Sequence, residues 1–111
     1  MTVSTKTRAQ LHERALGCCE RCGLYGANNA HHRVNQSQGG SDELSNLLLL
    51  CGSGTTGCHG WVTEHPDFAR WDGLSVARGN DPSTVSVLRY DRITGTESRV
   101  YLTDDGGLVA V

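Results

Sequence analysis

Residues 30–34 read Ala-His-His-Arg-Val, two adjacent histidines inside a run with the length and the apolar ends of a short strand. The chain has only five histidines in 111 residues, so this pairing uses a large share of them. In an extended segment successive side chains point to opposite faces, so His31 and His32 cannot comfortably chelate one ion together. One of them can ligate a metal while its neighbour stays unligated and available as a base near its usual pKa of about 6.5. A partner strand is at hand. Leu47 to Cys51, LLLLC, is a continuous apolar run too short for a helix, and it fits a buried strand pairing with AHHRV.

The totals call for help from outside the core. Hydrophobic residues make up 37% and aromatics 5%, with 14 glycines, so apolar burial has little margin over ordering costs of about 1–2 kcal/mol per residue. Five cysteines are the candidates to supply the difference: Cys18, Cys19, Cys22, Cys51 and Cys58. The N-terminal stretch MTVSTKTRAQLHERALG is polar and charged, with no apolar run that reads as a signal peptide or a membrane span, so a cytoplasmic protein is expected. An odd number of cysteines in a reducing compartment favours metal ligation or free thiols over a disulfide framework. The net charge of -2 excludes a globally basic nucleic-acid binder. The basic excess is local: Lys6, Arg8, Arg14, Arg21 and Arg33 face only Glu13 and Glu20 in the first third, and the remainder is acidic. Any phosphate-binding surface is expected in that first third.

Along the chain, Ser4 and Thr5 can cap a helix over residues 6–16, with Gly17 as its stop. A tight turn, CCERCG, and a polar connection lead into AHHRV. NQSQGGSDELSN, residues 35–46, reads as a long loop outside the core, with Ser41 capping one turn through Leu44. CHGWVTEHPDFARW reads as a helix near 58–64, broken by Pro66, and then a turn or short helix. From Leu74 onward β-branched residues predict two or three strands, with turns at Thr94-Gly95 and at residues 104–107.

Cys19-x2-Cys22 and Cys51-x6-Cys58 supply four thiols in two pairs, the set a closed tetrahedral zinc site requires. The second pair is spaced more widely than usual, but its Gly/Ser/Thr loop can bend back at small entropic cost. Cys18 is left over. A redox role for CERC needs a strand before it, and here a helix precedes it. His59 follows Cys58 at the start of a helix, where neighbouring side chains lie about 100° apart, so Cys58 can turn to zinc while His59 faces elsewhere. His31 and His59 would then give two imidazoles to a second, open metal site, with its remaining positions free for water or substrate.

The order Cys19-x2-Cys22, His31-His32, Gly39-Gly40, Asn46-Leu47, Cys51 and Cys58-His59 resembles the HNH endonucleases, in the zinc-stapled ββα-metal form of bacteriophage-encoded nucleases. The resemblance covers about residues 15–65. It implies an α+β fold: a small ββα-metal (His-Me finger) core with a four-cysteine zinc site, an N-terminal helix and a small C-terminal β appendage. Carried over by position, His31 would be the first metal ligand and His59 the second. His32 would be the general base that deprotonates the attacking water, and Asn46 would fix the loop and the orientation of His32. Cys19, Cys22, Cys51 and Cys58 would hold structural Zn²⁺. The catalytic divalent ion could be Mg²⁺, Mn²⁺, Ni²⁺ or Zn²⁺, since two neutral imidazoles make a borderline site. Two places depart from the family pattern: Thr63 stands where many members carry a further ligand, and the Cys51–Cys58 loop is longer. His65 lies near but about 120° round the helix from His59.

The expected organisation is a nuclease core over residues 1–71 and a β-rich extension over 72–111 that packs on it and carries no chemistry of its own. The expected function is hydrolysis of DNA phosphodiester bonds, with DNA as partner, phage packaging proteins as possible further partners, no membrane, and the host cytoplasm as setting. The competing expectation is a non-catalytic zinc-stabilised module that binds nucleic acid or protein. Leu47 to Leu50 and Trp61 are expected in the core and His12 in solvent. Arg8, Arg14, Arg21 and Arg33 are expected as surface charges or a phosphate track.

Overall fold

A computed structural model describes residues 3–111. Helix α1 spans Thr5–Ala15, and Ser4 caps it by accepting a hydrogen bond from the Thr7 amide at 3.2 Å. The helix closes one residue before the expected glycine: Leu16 takes the left-handed conformation with φ 55°, and Gly17 follows with φ 71°. A branched apolar residue there costs about 1–2 kcal/mol. Leu11 and Ala15 form the buried stripe of α1.

Strand β1 (Asn29–His32) and strand β2 (Leu47–Leu50) pair antiparallel, with His31 opposite Leu48 and His32 opposite Leu47. All four leucines of β2 are buried, because α1 covers the strand together with helix α2 (Gly57–Glu64). A strand enclosed on both faces reads as an uninterrupted apolar run, and that is why LLLL was recognisable. Pro66 opens a separate helix α3 (Pro66–Trp71), with His65 at the break. Two strands and a crossing helix thus form the expected ββα arrangement. The chain ends in an antiparallel meander of β3 (Val87–Asp91), β4 (Thr96–Leu102) and β5 (Leu108–Ala110). Leu74, Val87 and Leu102 join the same apolar cluster as Leu11 and the β2 leucines.

The segment 35–46 differs from expectation. It holds single 3-10 turns at Gln36–Gln38 and Leu44–Asn46, and the second is buried. Leu44 enters the apolar cluster, and the Asn46 side chain is satisfied by backbone groups, so a polar sequence can still be interior. That second turn has Glu43 at its cap position with no side-chain cap; Ser41 instead accepts a bond from the Glu43 amide at 3.3 Å.

Several charged residues are internal struts, among them Arg14 and Arg33 of those expected as surface charges or a phosphate track. Glu20 is buried, and its carboxylate accepts from Arg14 Nη2 at 2.8 Å, Arg89 Nε at 2.6 Å and the Leu49 amide at 2.9 Å. It ties α1, β2 and β3 together through one group. Burial alone would raise its pKa, but Arg14 and Arg89 outweigh that and hold it below the usual carboxylate range. Arg33 is 1% exposed and spends its guanidinium on four carbonyls, those of Gly73, Ser45, Pro82 and Val85, at 2.7–2.9 Å. Arg8 reaches the Asn28 carbonyl. Trp61, expected in the core, is only half-buried, with the Arg21 guanidinium 3.8 Å from its ring centroid and His65 stacked at 4.8 Å.

Candidate active site

Cys19 and Cys22 sit in the turn after α1. The turn is closed by bonds from the Cys19 amide to the Leu24 carbonyl and from the Gly23 amide to the Cys19 carbonyl. Cys51 directly follows β2 and Cys58 lies in the first turn of α2. The wide Cys51–Cys58 loop folds back on itself: Ser53 and Thr56 bond each other, and the His59 amide donates to the Cys51 carbonyl at 3.1 Å. Gly52 permits this with φ 86°, since a Cβ there would strike the Thr56 carbonyl.

The result is four sulfurs within 4.8 Å of one another. Tetrahedral sulfurs on zinc, at about 2.3 Å from the ion, stand about 3.8 Å apart, and Cys22 Sγ and Cys51 Sγ are 3.7 Å apart. The four cysteines are positioned to bind a metal ion, and zinc suits them. Burial pushes the Cys22 and Cys58 thiols up, so holding the whole set as thiolates calls for a cation among them. Arg21 adds a second positive group, donating to Cys58 Sγ at 3.4 Å. Cys18 stays outside the cluster, its thiol turned to the Leu16 carbonyl.

On the other side of Cys58, the rings of His31 and His59 meet edge to face with centroids 5.3 Å apart and planes at 66°. His31 is buried, and its Nε2 lies 2.7 Å from the Leu74 carbonyl. Because a carbonyl only accepts, Nε2 carries the hydrogen and Nδ1 keeps its lone pair. Burial brings the His31 pKa down to about 4, so the ring is neutral at ordinary pH. His59 Nδ1 is buried with no hydrogen-bond partner among the described residues. A neutral imidazole beside an orphaned ring nitrogen is a donor set that a divalent cation would satisfy.

His32 points away from this pair. Its Nε2 lies 2.7 Å from Asp42 Oδ1, with His32 14% and Asp42 33% exposed at their side chains. Asn46 is fully buried, and it bonds the backbone rather than His32: Oδ1 accepts from the Val34 amide at 2.8 Å, while Nδ2 donates to the carbonyls of Val34 and Ser41 at 3.1 and 2.9 Å. Thr63 turns its hydroxyl to the His59 carbonyl. His65 is stacked on Trp61 with Nδ1 on the Trp61 carbonyl.

Sequence reasoning passed over Asp42, the Leu74 carbonyl, Glu20 and the buried role of Arg33. Asp42 had no signal beyond its place two residues after Gly39-Gly40, and the Leu74 carbonyl had none at all, since any residue offers one. No helix among the described residues is long and apolar enough to cross a membrane. No curated protein and no solved structure gives a significant match to the chain. A family model does match, over a span that holds all four clustered cysteines together with His31, His32, Asn46 and His59: residues 19–60 of this chain match the family HNH, described as HNH endonuclease.

Proposed function

We propose that this chain is a metal-dependent HNH endonuclease that hydrolyses DNA phosphodiester bonds. The observation that carries the proposal is the meeting of His31 and His59 with centroids 5.3 Å apart, while His32 projects to the opposite side of the same strand. His32 takes the proton from the attacking water, whose oxygen forms the new bond to phosphorus as the bond to the 3'-oxygen breaks. His31 and His59 would hold a divalent ion, Mg²⁺, Mn²⁺, Ni²⁺ or Zn²⁺, which when bound supplies Lewis-acid stabilisation of the charge on the phosphorane and on the leaving oxygen. Asn46 fixes the loop beside His32. Cys19, Cys22, Cys51 and Cys58 would hold a structural zinc that joins the turn after α1 to β2 and α2, a closed thiolate set with no position for water.

In this proposal residues 1–71 carry the chemistry and residues 72–111 form a β extension that packs on them. A single centre cuts one strand at a time, so nicking is the expected product. Resemblance to phage-encoded members suggests a role in genome processing or packaging in a host cytoplasm. Plasmid nicking with each of the four metals in turn, for the wild type and His32→Ala, tests the assignment. Loss of nicking in His32→Ala, with zinc content retained, supports it. Equal rates remove His32 as the base, and a folded wild type inactive with every metal leaves a zinc-stabilised binding module instead.

A further inference from the structure

We infer that Asp42 is the positioning residue of the base, fixing His32 in one tautomer and one orientation. The catalytic meaning of this inference rests on the endonuclease proposal; the geometry does not. An ionised carboxylate can only accept, so the His32 nitrogen 2.7 Å from Asp42 Oδ1 must bear the hydrogen. That nitrogen is Nε2. The lone pair is thereby assigned to Nδ1, which becomes the atom that receives the water's proton. A neutral imidazole without such a partner exchanges between tautomers and rotates about its side-chain bonds, and in both cases the basic nitrogen spends time elsewhere.

The loop is built to deliver Asp42. One buried amide, that of Asn46, binds Val34, two residues beyond His32, and Ser41, the residue before Asp42. The strand end that carries the base and the loop that carries its partner are therefore clamped by the same side chain. Between them the chain doubles back so tightly that a Cβ on Gly40 would fall on the Val34 carbonyl, while Gly39 takes φ 85°. On the far side of Asp42, Ser41 Oγ accepts from the Glu43 amide. Gln36 Nε2 also lies 3.5 Å from Asp42 Oδ1. The two glycines, the asparagine and the aspartate of this loop act together to aim one imidazole.

The test uses the full chain with zinc in the four-cysteine site. Nitrogen-15 spectra of the histidine side chains are recorded for the wild type, Asp42→Asn and Asp42→Ala, with the His32 signal identified by its loss in His32→Gln. The wild type should show His32 in the Nε2-protonated tautomer alone. Asp42→Asn, whose amide can donate to Nε2 as well as accept from it, and Asp42→Ala should both lose the single tautomer. Nicking by Asp42→Ala and by Asp42→Asn should lose kcat on the order of 10²-fold or more, with the KM for DNA unchanged. A mixed or Nδ1-protonated His32 in the wild type overturns the inference, as does a kcat unchanged in Asp42→Ala. A locked tautomer in a chain that nicks no DNA with any metal sinks the endonuclease proposal and leaves the positioning by Asp42 standing.

Discussion

His31 and His59 lie on different elements, one on β1 and the other in α2, yet their rings touch edge to face with centroids 5.3 Å apart. Each is placed by a different device. Strand register and the Leu74 carbonyl set His31. His59 follows from Cys58, whose thiol belongs to the four-sulfur cluster, and from its own amide bond to the Cys51 carbonyl. The structural metal site and the candidate catalytic pair thus share a backbone but no side chain.

That separation is measurable. His59→Ala should reduce nicking on the order of 10²-fold or more, because one of the two imidazoles proposed to hold the catalytic ion is gone, while metal analysis still finds about one zinc per chain. Loss of the zinc in this variant would show that the two sites are not independent.

Removing the four-cysteine metal should have a much larger structural effect. Structural zinc sites carry apparent binding free energies on the order of 10–16 kcal/mol, as large as a small domain's total stability of about 5–15 kcal/mol. A strong chelator, or Cys51→Ser, is expected to abolish the cooperative thermal transition followed by circular dichroism. Cys18→Ser, which alters a thiol outside the cluster, should leave zinc content and melting unchanged.

Glu20→Gln should destabilise the fold by about 3–5 kcal/mol, since it leaves Arg14 and Arg89 facing each other in the interior without the charge between them. The same carboxylate gives a pH signature. Its folded pKa lies below the unfolded value of 4.5, so its contribution is fully present above that value and is lost as the pH falls below it towards the folded pKa. Urea unfolding at a series of pH values should show a steeper acid loss in the wild type than in Glu20→Gln.

Arg33→Lys should cost about 2–4 kcal/mol. An ammonium cannot reach four carbonyls that a planar fork serves at once, and those left behind are buried. Denaturant midpoints read this directly, and the amides of Leu74 and Val76, bonded to the Ala69 and Arg33 carbonyls, should lose hydrogen-exchange protection first.

The elements themselves were legible because each is set by local chemistry. Ser4 caps α1, the LLLL run reads as a doubly covered strand, and Pro66 splits the two short helices. The buried turn at Leu44–Asn46 was not legible, because its polar residues become interior only when distant backbone groups arrive to satisfy them. The same holds for Arg14, Arg33 and Glu20. A charge in a sequence is read as solvated because burial is costly, and although Arg14 and Glu20 stand six residues apart, nothing local reveals the partners that lie dozens of residues away.

By itself, then, the sequence determined which atoms could ligate: cysteine and histidine spacing along short, locally stable elements fixed the two thiol pairs and the divided histidines. Only the tertiary structure decided which of those atoms meet and what holds them. The register of β1 on β2, the fold-back of residues 35–46 and the carbonyls of residues 73–85 act across long sequence separations. The orientation of His32 by Asp42 and of His31 by Leu74 exists only once the whole core has closed.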